Sequence, residues 1–269
     1  MQNNKLYILE LLLETTFNIQ SAESFVVFRG SLLTKSWIQP KYFRSVSDLD
    51  FLAISDYDKD AYTGFVKTVL KKTQELYQEI KIDLGSLKVE DTWTETENPS
   101  FRFYFDVKLN YELFEAIQID IAFGDTLVLP SHWTKYECFS SEKNIDVFAV
   151  QTEQALAWKV HGLFEFYDKG GRWQVKDLYD VFCILKTRKI DKIKFEKCIP
   201  IAFQDKKTPI ALSYQKMKNG TFGKSKGSQK KWKKFLLEKL NYQNIPQELE
   251  LDNVISRVKI FLDPVLTNN

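Results

Sequence analysis

The sequence predicts an α+β protein, with a mixed β-sheet flanked by helices in its N-terminal part and a helical bundle in its C-terminal part. Three observations lead to this class. Strand-like and helix-like patterns alternate before Phe101, polar and apolar residues alternate strictly from Phe101 to Leu109, and helical periodicity dominates after Pro130. The 269 residues suffice for one large domain or two smaller ones, and we expect domains at 1–145 and 146–269.

The N-terminal part is expected to begin with the order helix, strand, turn, helix, strand and helix. Apolar residues recur at three- and four-residue spacing over 5–19, which predicts the first helix. A β-branched and aromatic run at 24–28 predicts a strand that ends at Arg29-Gly30-Ser31, a turn before the next helix. Residues 47–54 have the composition of a second strand, and 62–80 repeat apolar positions as a helix does.

The central part predicts a hairpin, and the C-terminal part predicts helices. A short connection joins the alternating strand 101–109 to a second strand at 116–123, so the two are expected to pair antiparallel within a mixed sheet. A Lys/Gly/Ser tract at 216–234 lacks an apolar period over most of its length and predicts a loop. Helices are expected at 152–166, 175–185, 231–240 and 254–262.

Composition and residue usage exclude several classes of protein. The hydrophobic fraction of 44% and the charged fraction of 28% are typical of a globular protein. The N-terminal apolar stretch carries two glutamates, which argues against a signal peptide or a membrane span. The three cysteines form no Cys-x-x-Cys pair, which favours the reducing cytoplasm. Because only two histidines are present, a metal is expected to bind oxygen ligands rather than a His/Cys zinc site.

Charge is unevenly distributed along the chain. The net charge is +2, yet residues 200–240 contain 11 lysines and only two acids, Asp205 and Glu238. The rest of the chain is therefore acidic, which suggests an acidic catalytic part and a basic surface suited to a polyanion. A solvated lysine-rich loop explains the same block of charge equally well.

Three carboxylates are candidates for a metal site. Asp48 and Asp50 alternate with apolar residues in a strand pattern, so both side chains are expected on one face. Asp120 is a lone acid inside an apolar run of another strand. Like charges held this close are costly unless a cation neutralises them, and Mg²⁺ prefers one or two carboxylates completed by phosphate oxygens. The pattern predicts a two-metal platform for phosphoryl or nucleotidyl transfer.

Gly30 and Ser31 are candidate phosphate ligands. They follow a strand and open a helix, where backbone N–H groups can cradle phosphates and glycine lets the backbone approach closely. Taken alone, a Gly-Ser turn or an Asp-x-Asp strand is commonplace. Their order with Asp48, Asp50 and Asp120 resembles the motifs of the polymerase-β-like nucleotidyltransferase superfamily.

A second group of motifs narrows this resemblance. Lys159 in a helix, followed by Arg172 and by Lys176-Asp177-x-x-Asp180, is similar to the third and fourth motifs of the AbiEii/AbiGii toxin family. The position of Lys176 is often Arg in that family, so Arg172 is the candidate for a planar bidentate fork. As a pattern of spacing, Lys176 and Asp180 also fit a surface ion pair.

The resemblance carries several implications. It implies a nucleotidyltransferase fold and transfer of a nucleoside monophosphate from an NTP to an acceptor hydroxyl. Mg²⁺ or Mn²⁺ would be held by the three aspartates, and the helical domain would contribute Lys159 and Asp177 to the site, with Arg172 binding nucleotide. It further implies a toxin of a toxin–antitoxin or phage-defence (abortive infection) pair, with an antitoxin as partner and RNA such as tRNA as acceptor. Candidate RNA-binding residues are Lys224, Lys226, Lys230, Lys231, Lys233 and Lys234.

Two other functions remain open from the sequence, a nucleotidyltransferase acting on a small molecule and a non-catalytic protein that binds RNA or a partner. Other features are interpreted as structural. Gly223-Lys224-Ser225 lacks the earlier glycine of a P-loop, and Arg102 is interpreted as part of an amphipathic strand face rather than as a nucleic-acid contact. His161 is interpreted as a packing residue.

Overall fold

The computed structural model describes residues 2–92, 99–164 and 173–266. It divides into two compact units. The first, here the sheet unit, comprises Met1–Ser36, Val46–Asp125 and Pro130–Val150. The second, the helical unit, comprises Trp37–Ser45, Thr126–Leu129 and Gln151–Asn269. That 1–145 and 146–269 form separate domains stays a prediction.

The described part of the sheet unit contains three α-helices and seven strands. The helices are α1 (Gln2–Phe17), α2 (Gly30–Lys35) and α3 (Lys59–Leu76). The strands are β1 (Val26–Arg29), β2 (Asp48–Ala53), β3 (Ile80–Thr92), β4 (Ser100–Leu109), β5 (Glu112–Ala122), β6 (His132–Glu137) and β7 (Asn144–Ala149).

The strands form one mixed sheet in the order β3-β4-β5-β2-β1-β7-β6. β2 pairs parallel with β5, and β1 pairs parallel with β7, whereas the other neighbours are antiparallel. β4 and β5 form the expected hairpin, whose two-residue turn at Asn110 and Tyr111 has φ values of 48° and 73°, as in a type I′ turn. The mixed sheet and the helices confirm the α+β prediction.

The core of the sheet unit is formed by apolar residues that alternate with polar ones along the strands. On β4, Phe101, Phe103, Phe105 and Val107 are buried, while the residues between them are only half-buried. The same alternation on β2 buries Leu49 and Phe51 and turns the intervening aspartates away from the core. Burial of these apolar side chains therefore fixes the face on which the acids lie.

Three strands were not expected from the sequence. The helix predicted for 62–80 ends at Leu76, and Ile80 begins β3, in which Ile80 and Ile82 are buried before the strand becomes mostly half-exposed. β6 carries charged and exposed residues along most of its length and borders the sheet, so it gives no apolar alternation. β7 alternates over only six residues, too few to stand out beside the helical patterns that follow.

The helical unit contains six α-helices in the described part of the chain. They are α4 (Thr152–Phe164), α5 (Val175–Thr187), α6 (Lys192–Gln204), α7 (Ile210–Lys218), α8 (Lys226–Leu240) and α9 (Leu251–Leu266). Val254, Val258 and Leu262 recur at four-residue spacing and bury one face of α9. Among the helices that the structure describes, none combines the length and the apolar composition that crossing a bilayer requires.

The predicted loop at 216–234 is wrong over much of its length. α7 continues to Lys218, and α8 begins at Lys226, where the Ser225 hydroxyl accepts the Ser228 N–H at 3.0 Å as an N-cap. Lysine is a good helix former, and Trp232 and Leu236 at i and i+4 are fully buried. A narrow buried stripe of this kind is difficult to detect among so many lysines.

Candidate active site

The turn between β1 and α2 is shaped by Gly30. Its φ is +82°, in the left-handed region that favours glycine. A Cβ atom at this position would lie 2.0 Å from Oδ2 of Asp50, far inside van der Waals contact. Glycine is therefore required twice, for the backbone conformation and for the close approach of the carboxylate.

Ser31 lies against both carboxylates of β2. Its backbone N–H donates to Oδ2 of Asp50 at 3.3 Å, and its hydroxyl donates to Oδ1 of Asp48 at 3.5 Å. The turn and the Asp-x-Asp strand are thus joined into one polar cluster, as their order in the sequence suggested. The distances are long for hydrogen bonds, so these contacts orient the carboxylates without holding them tightly.

Asp120 completes a trio of carboxylates. Parallel pairing of β2 with β5 places Asp50 directly opposite Asp120. One oxygen from each of Asp48, Asp50 and Asp120 lies within 4.8 Å of the others. All-oxygen ligand sets suit Mg²⁺ and Mn²⁺, and a bound divalent cation would offset the repulsion among the three charges. The residues present therefore fit such an ion.

Arg102 is a site residue that the sequence analysis missed. It faces Asp120 across β4 and β5, with Nε–Oδ1 at 3.0 Å and Nη2–Oδ2 at 2.8 Å. The Gln118 side-chain amide donates to both oxygens of Asp120 at 3.0 Å. The hydrogen bonds with Asp120 raise the pKa of Arg102, against the opposing effect of burial. The strand alternation contained Arg102, but its partner depends on a register that the sequence alone does not reveal.

Strand register arranges four charges in a row across the sheet. Arg29 on β1 lies opposite Asp50, Asp50 lies opposite Asp120, and Asp120 lies opposite Arg102. Arg29 also donates to Asp125, whose side chain is 4% exposed, at 2.5 Å. Two acids in the centre of the row are thus flanked by two arginines.

A second cluster of charges lies inside the helical unit. Lys159 on α4 places its Nζ 2.7 Å from Oδ2 of Asp180 and 3.9 Å from Oδ1 of Asp177, both on α5. The exposed fractions of the side chains are 12% for Lys159, 14% for Asp177 and 1% for Asp180. The helix spacing had suggested a shared face, and the contacts show that Asp180, not Asp177, is the closer partner of Lys159.

Arg44 is the fourth member of this cluster and was also missed from the sequence. Its Nε donates to Oδ1 of Asp180 and its Nη2 to Oδ2, each at 2.8 Å. Burial opposes the negative charge of Asp180, but Arg44 and Lys159 outweigh it and lower the pKa of this carboxyl well below its ordinary value. Arg44 thus binds Asp180 with a planar bidentate fork, and the role expected for Arg172 stays a prediction.

The pKa of Asp177 is shifted in the opposite direction to that of Asp180. Burial raises the pKa of Asp177 above its ordinary value, although Lys159 and Lys176 act against the shift. A Cβ atom at Gly162 on α4 would lie 2.9 Å from Oδ2 of Asp177, so the glycine makes room for this carboxyl. Gly162 follows Lys159 by three residues, which places both on the side of α4 that meets Asp177.

Two residues considered in the sequence remain, Arg172 and His161. Arg172 lies outside the described residues. His161 packs edge-on against Phe203, and its Nε2 lies 3.0 Å from the Thr208 hydroxyl, which suits a packing residue.

The candidate RNA-binding lysines divide into two groups. Lys224 pairs with Asp252 at 2.9 Å, Lys234 pairs with Glu238 at 3.7 Å, and Lys231 donates to the Trp173 carbonyl at 2.6 Å. Lys224 and Lys234 are nevertheless exposed, as are the other three, which lie on α8 at Lys226, Lys230 and Lys233.

The structure brings together the Gly-Ser turn, the Asp-x-Asp strand and the third acid, the residues whose order resembles the nucleotidyltransferase motifs. The family model described as nucleotidyl transferase AbiEii toxin, Type IV TA system, matches residues 12–248. The chain belongs to this family of nucleotidyltransferase toxins. The resemblance and the enzyme class predicted from the motifs are confirmed.

Comparison with solved structures supports the fold. MenT4, a nucleotidyltransferase toxin from Mycobacterium tuberculosis H37Rv, superposes with a TM-score of 0.52 at 15% sequence identity. The alignment covers 100% of this chain and 86% of MenT4. At this identity the likeness concerns the fold alone. No curated protein sequence matches the chain significantly.

Proposed function

We propose that this toxin transfers a nucleoside monophosphate from an NTP to a hydroxyl of RNA, such as tRNA, in a reaction that depends on Mg²⁺ or Mn²⁺. The observation that carries the proposal is the carboxylate trio, whose oxygens lie within 4.8 Å of one another. The contact between Gly30 and Asp50 adds to it, because a backbone this close leaves no room for a side chain beside the acids.

Asp48, Asp50 and Asp120 are the residues that would hold the divalent cation. When bound, the ion would supply charge stabilisation for the phosphates and activation of the attacking hydroxyl. Ser31 orients Asp48 and Asp50 through its hydroxyl and its N–H. In the proposal, Gly30 and Ser31 also present backbone to the phosphates of the nucleotide.

The helical unit supplies the other proposed catalytic groups. Lys159 provides a flexible positive charge for the triphosphate. Asp177, whose pKa is raised by burial, is the proposed acceptor of a proton from the attacking hydroxyl, since a carboxylate with a raised pKa is a stronger base. Arg172 stays a proposed nucleotide ligand.

The exposed lysines of α8 support RNA as the acceptor. Lys226, Lys230 and Lys233 follow one another at four and three residues and so lie along one face of the helix. A row of cations at this spacing suits a phosphate backbone, and binding through it should weaken steeply with salt. Family membership implies a cognate antitoxin as partner. In the proposal the toxin acts in the cytoplasm, since its proposed RNA acceptor is found there.

The test is incubation of the purified protein with Mg²⁺, each α-labelled NTP in turn and total bacterial RNA. We expect label in a tRNA-sized band with wild type and none with Asp48→Asn/Asp50→Asn. Asp146→Asn is the matched control, because Asp146 is a strand aspartate of the same sheet whose side chain is 61% exposed and paired with Lys135. Labelling that survives the double substitution would overturn the assignment.

A small-molecule acceptor is the second candidate, favoured by the local pairing of Lys224, Lys231 and Lys234. No label in RNA with any NTP would favour this second candidate, whereas the triple variant Lys226→Gln/Lys230→Gln/Lys233→Gln tests whether the lysine row binds the RNA. RNA labelling should fall at least about tenfold and lose much of its salt dependence if RNA is the acceptor. Unchanged labelling would exclude this lysine row as the RNA site. Growth inhibition by the Asp48→Asn/Asp50→Asn variant would instead favour a non-catalytic binding role.

A further inference from the structure

Asp180 is a buried carboxylate that forms ion pairs with two cations, although one would balance its charge. Its side chain is 1% exposed, and two cations contact it, Arg44 through both oxygens and Lys159 through Oδ2 alone. A buried carboxylate that loses its only counter-ion is strongly destabilising, since its charge is then unpaired away from water. With Arg44 in place, Asp180 stays paired even when Lys159 moves away.

The two cations differ in how firmly they are held. Arg44 binds Asp180 with a rigid, planar fork at 2.8 Å on each side, a geometry that fixes the side chain. Lys159 makes one contact at 2.7 Å from the end of a four-carbon stem, and its next acid, Asp177, is 3.9 Å away. Burial also raises the pKa of Asp177, which weakens the hold of this second acid on Lys159.

We propose that Arg44 is a positioning residue that permanently neutralises Asp180 and thereby leaves Lys159 available to move from Asp180 to an incoming triphosphate. The inference rests on the proposed function, in which Lys159 neutralises the triphosphate. Lys159 exchanges one anionic partner for another, and the buried acid that it leaves remains paired. Without Arg44, Lys159 is the only one of these two cations left on Asp180 and is retained there.

The first test uses the wild-type protein, so folding of a variant is not at issue. Inorganic triphosphate is added while the side-chain nitrogen signals of Lys159 and Arg44 are followed by NMR. We expect the Lys159 Nζ signal to shift and the Arg44 Nε signal to stay in place. An equal shift of Arg44 Nε, or no shift of Lys159, would overturn the proposal.

The second test measures binding of inorganic triphosphate by calorimetry. Arg44→Gln should raise the dissociation constant at least about tenfold, and its Lys159 signal should no longer shift. Arg44→Lys, which keeps the charge, should bind within about threefold of wild type. Arg44→Gln/Asp180→Asn, which removes the acid together with its counter-ion, should restore binding. If the double variant binds no better than Arg44→Gln, Arg44 does not act through Asp180 and Lys159.

Lys259→Gln is the matched control, because Lys259 forms an ion pair with Asp263 at 2.5 Å within the same unit and has no part in the proposed reaction. It should bind triphosphate as wild type does. Triphosphate binding needs no transfer reaction, so the two proposals fail separately. An active enzyme whose Lys159 signal does not move refutes the role of Arg44 alone. An inactive enzyme in which triphosphate moves only Lys159 refutes the proposed reaction alone.

Discussion

Arg102 and Asp120 face each other on adjacent strands, and the guanidinium binds both carboxylate oxygens at 3.0 and 2.8 Å. Asp120 is also one of the three acids in the candidate cation site. Asp120 is therefore both the ion-pair partner of Arg102 and a candidate ligand of the cation. A divalent cation at this site would share Asp120 with Arg102 or displace the guanidinium, so we expect Arg102 to lower the affinity of the site for cations.

Removal of Arg102 should tighten cation binding. In Arg102→Gln, the positive charge that competes for Asp120 is lost, and we expect the dissociation constant of Mn²⁺, measured by electron paramagnetic resonance, to fall about three- to tenfold. Arg102→Lys keeps the charge and should lie near wild type. Weaker Mn²⁺ binding by Arg102→Gln would show instead that Arg102 holds Asp120 in the geometry that the cation needs.

Gly30→Ala should abolish transfer and destabilise the sheet unit. The added Cβ would overlap the Asp50 carboxylate and strain a backbone with φ of +82°. Gly220→Ala is the control for strain alone, since Gly220 has φ of +70° and nothing within 4 Å of its Cβ position. We expect about 1–2 kcal/mol of destabilisation in Gly220→Ala with transfer retained, and at least about 100-fold lower transfer in Gly30→Ala.

The parts of this site that could be predicted from the sequence are those set by local periodicity. Alternation along β2 placed Asp48 and Asp50 on one face, and a lone acid in the apolar run of β5 identified Asp120. Gly30 stood out because a strand ended there and a helix began. These patterns depend only on neighbouring residues, so the sequence alone contains them.

The parts that could not be predicted depend on distant contacts. Arg44 lies in a stretch without regular periodicity, and its partner Asp180 is 136 positions away. Arg102 was visible only as one polar residue of an alternating strand, because its pairing with Asp120 needs the register of the sheet. β6 was missed because an edge strand has few apolar residues to bury.

The two acids of α5 should affect stability in opposite directions. The pKa of Asp180 is lowered when the protein folds, so its contribution is present above the unfolded value of about 3.9 and is lost as pH falls through the lower folded value. Asp180→Asn at pH 7 should cost about 3–5 kcal/mol, because Arg44 and Lys159 lose their carboxylate. Urea unfolding should show that the difference in unfolding free energy between wild type and Asp180→Asn becomes smaller below about pH 4.

Asp177→Asn should stabilise the protein at neutral pH. The folded pKa of Asp177 is raised, mainly by burial, so its contribution is complete below the unfolded value and is lost as pH rises through the folded pKa. An amide does not ionise, so the Asp177→Asn variant avoids the loss of stability that ionisation causes. Its urea midpoint at pH 7 should be higher than that of wild type. Equal midpoints at pH 5 and pH 8 in wild type would contradict the assigned shift. If Asp177 is the proton acceptor, the more stable variant will also be inactive.

The cysteine thiols should react slowly in the native protein. Cys183 and Cys198 are buried, and burial raises the pKa of Cys198 and of the half-buried Cys138 to about 11. Because the thiolate is the reactive form, Ellman's reagent at pH 8 should label less than about one thiol on a timescale of minutes. All three should react after denaturation in guanidinium. Rapid native labelling of two thiols would contradict the burial of α5 and α6.

Glu10 is a buried acid outside the candidate active site, and it allows a comparison with the acids proposed to act in transfer. It is 2% exposed and accepts hydrogen bonds from the Tyr136 hydroxyl at 3.0 Å, the Phe139 N–H at 2.7 Å and the Ser140 N–H at 3.0 Å, and from the Ser140 hydroxyl. A carboxylate can accept hydrogen bonds at both of its oxygens, whereas the amide of glutamine accepts at only one end. Glu10→Gln turns one end into a donor that faces other donors, and we expect a loss of about 2–3 kcal/mol in urea unfolding.

The transfer activity of folded Glu10→Gln should nevertheless match wild type, since Glu10 contacts none of the carboxylate trio in the contacts described. Asp146→Asn, which removes one member of an exposed pair, should cost less than about 1 kcal/mol by the same measurement. Stability that falls equally in both variants would contradict the special position of Glu10. Lost activity at full stability would place Glu10 in the reaction instead, because a purely structural acid acts only through the folded population.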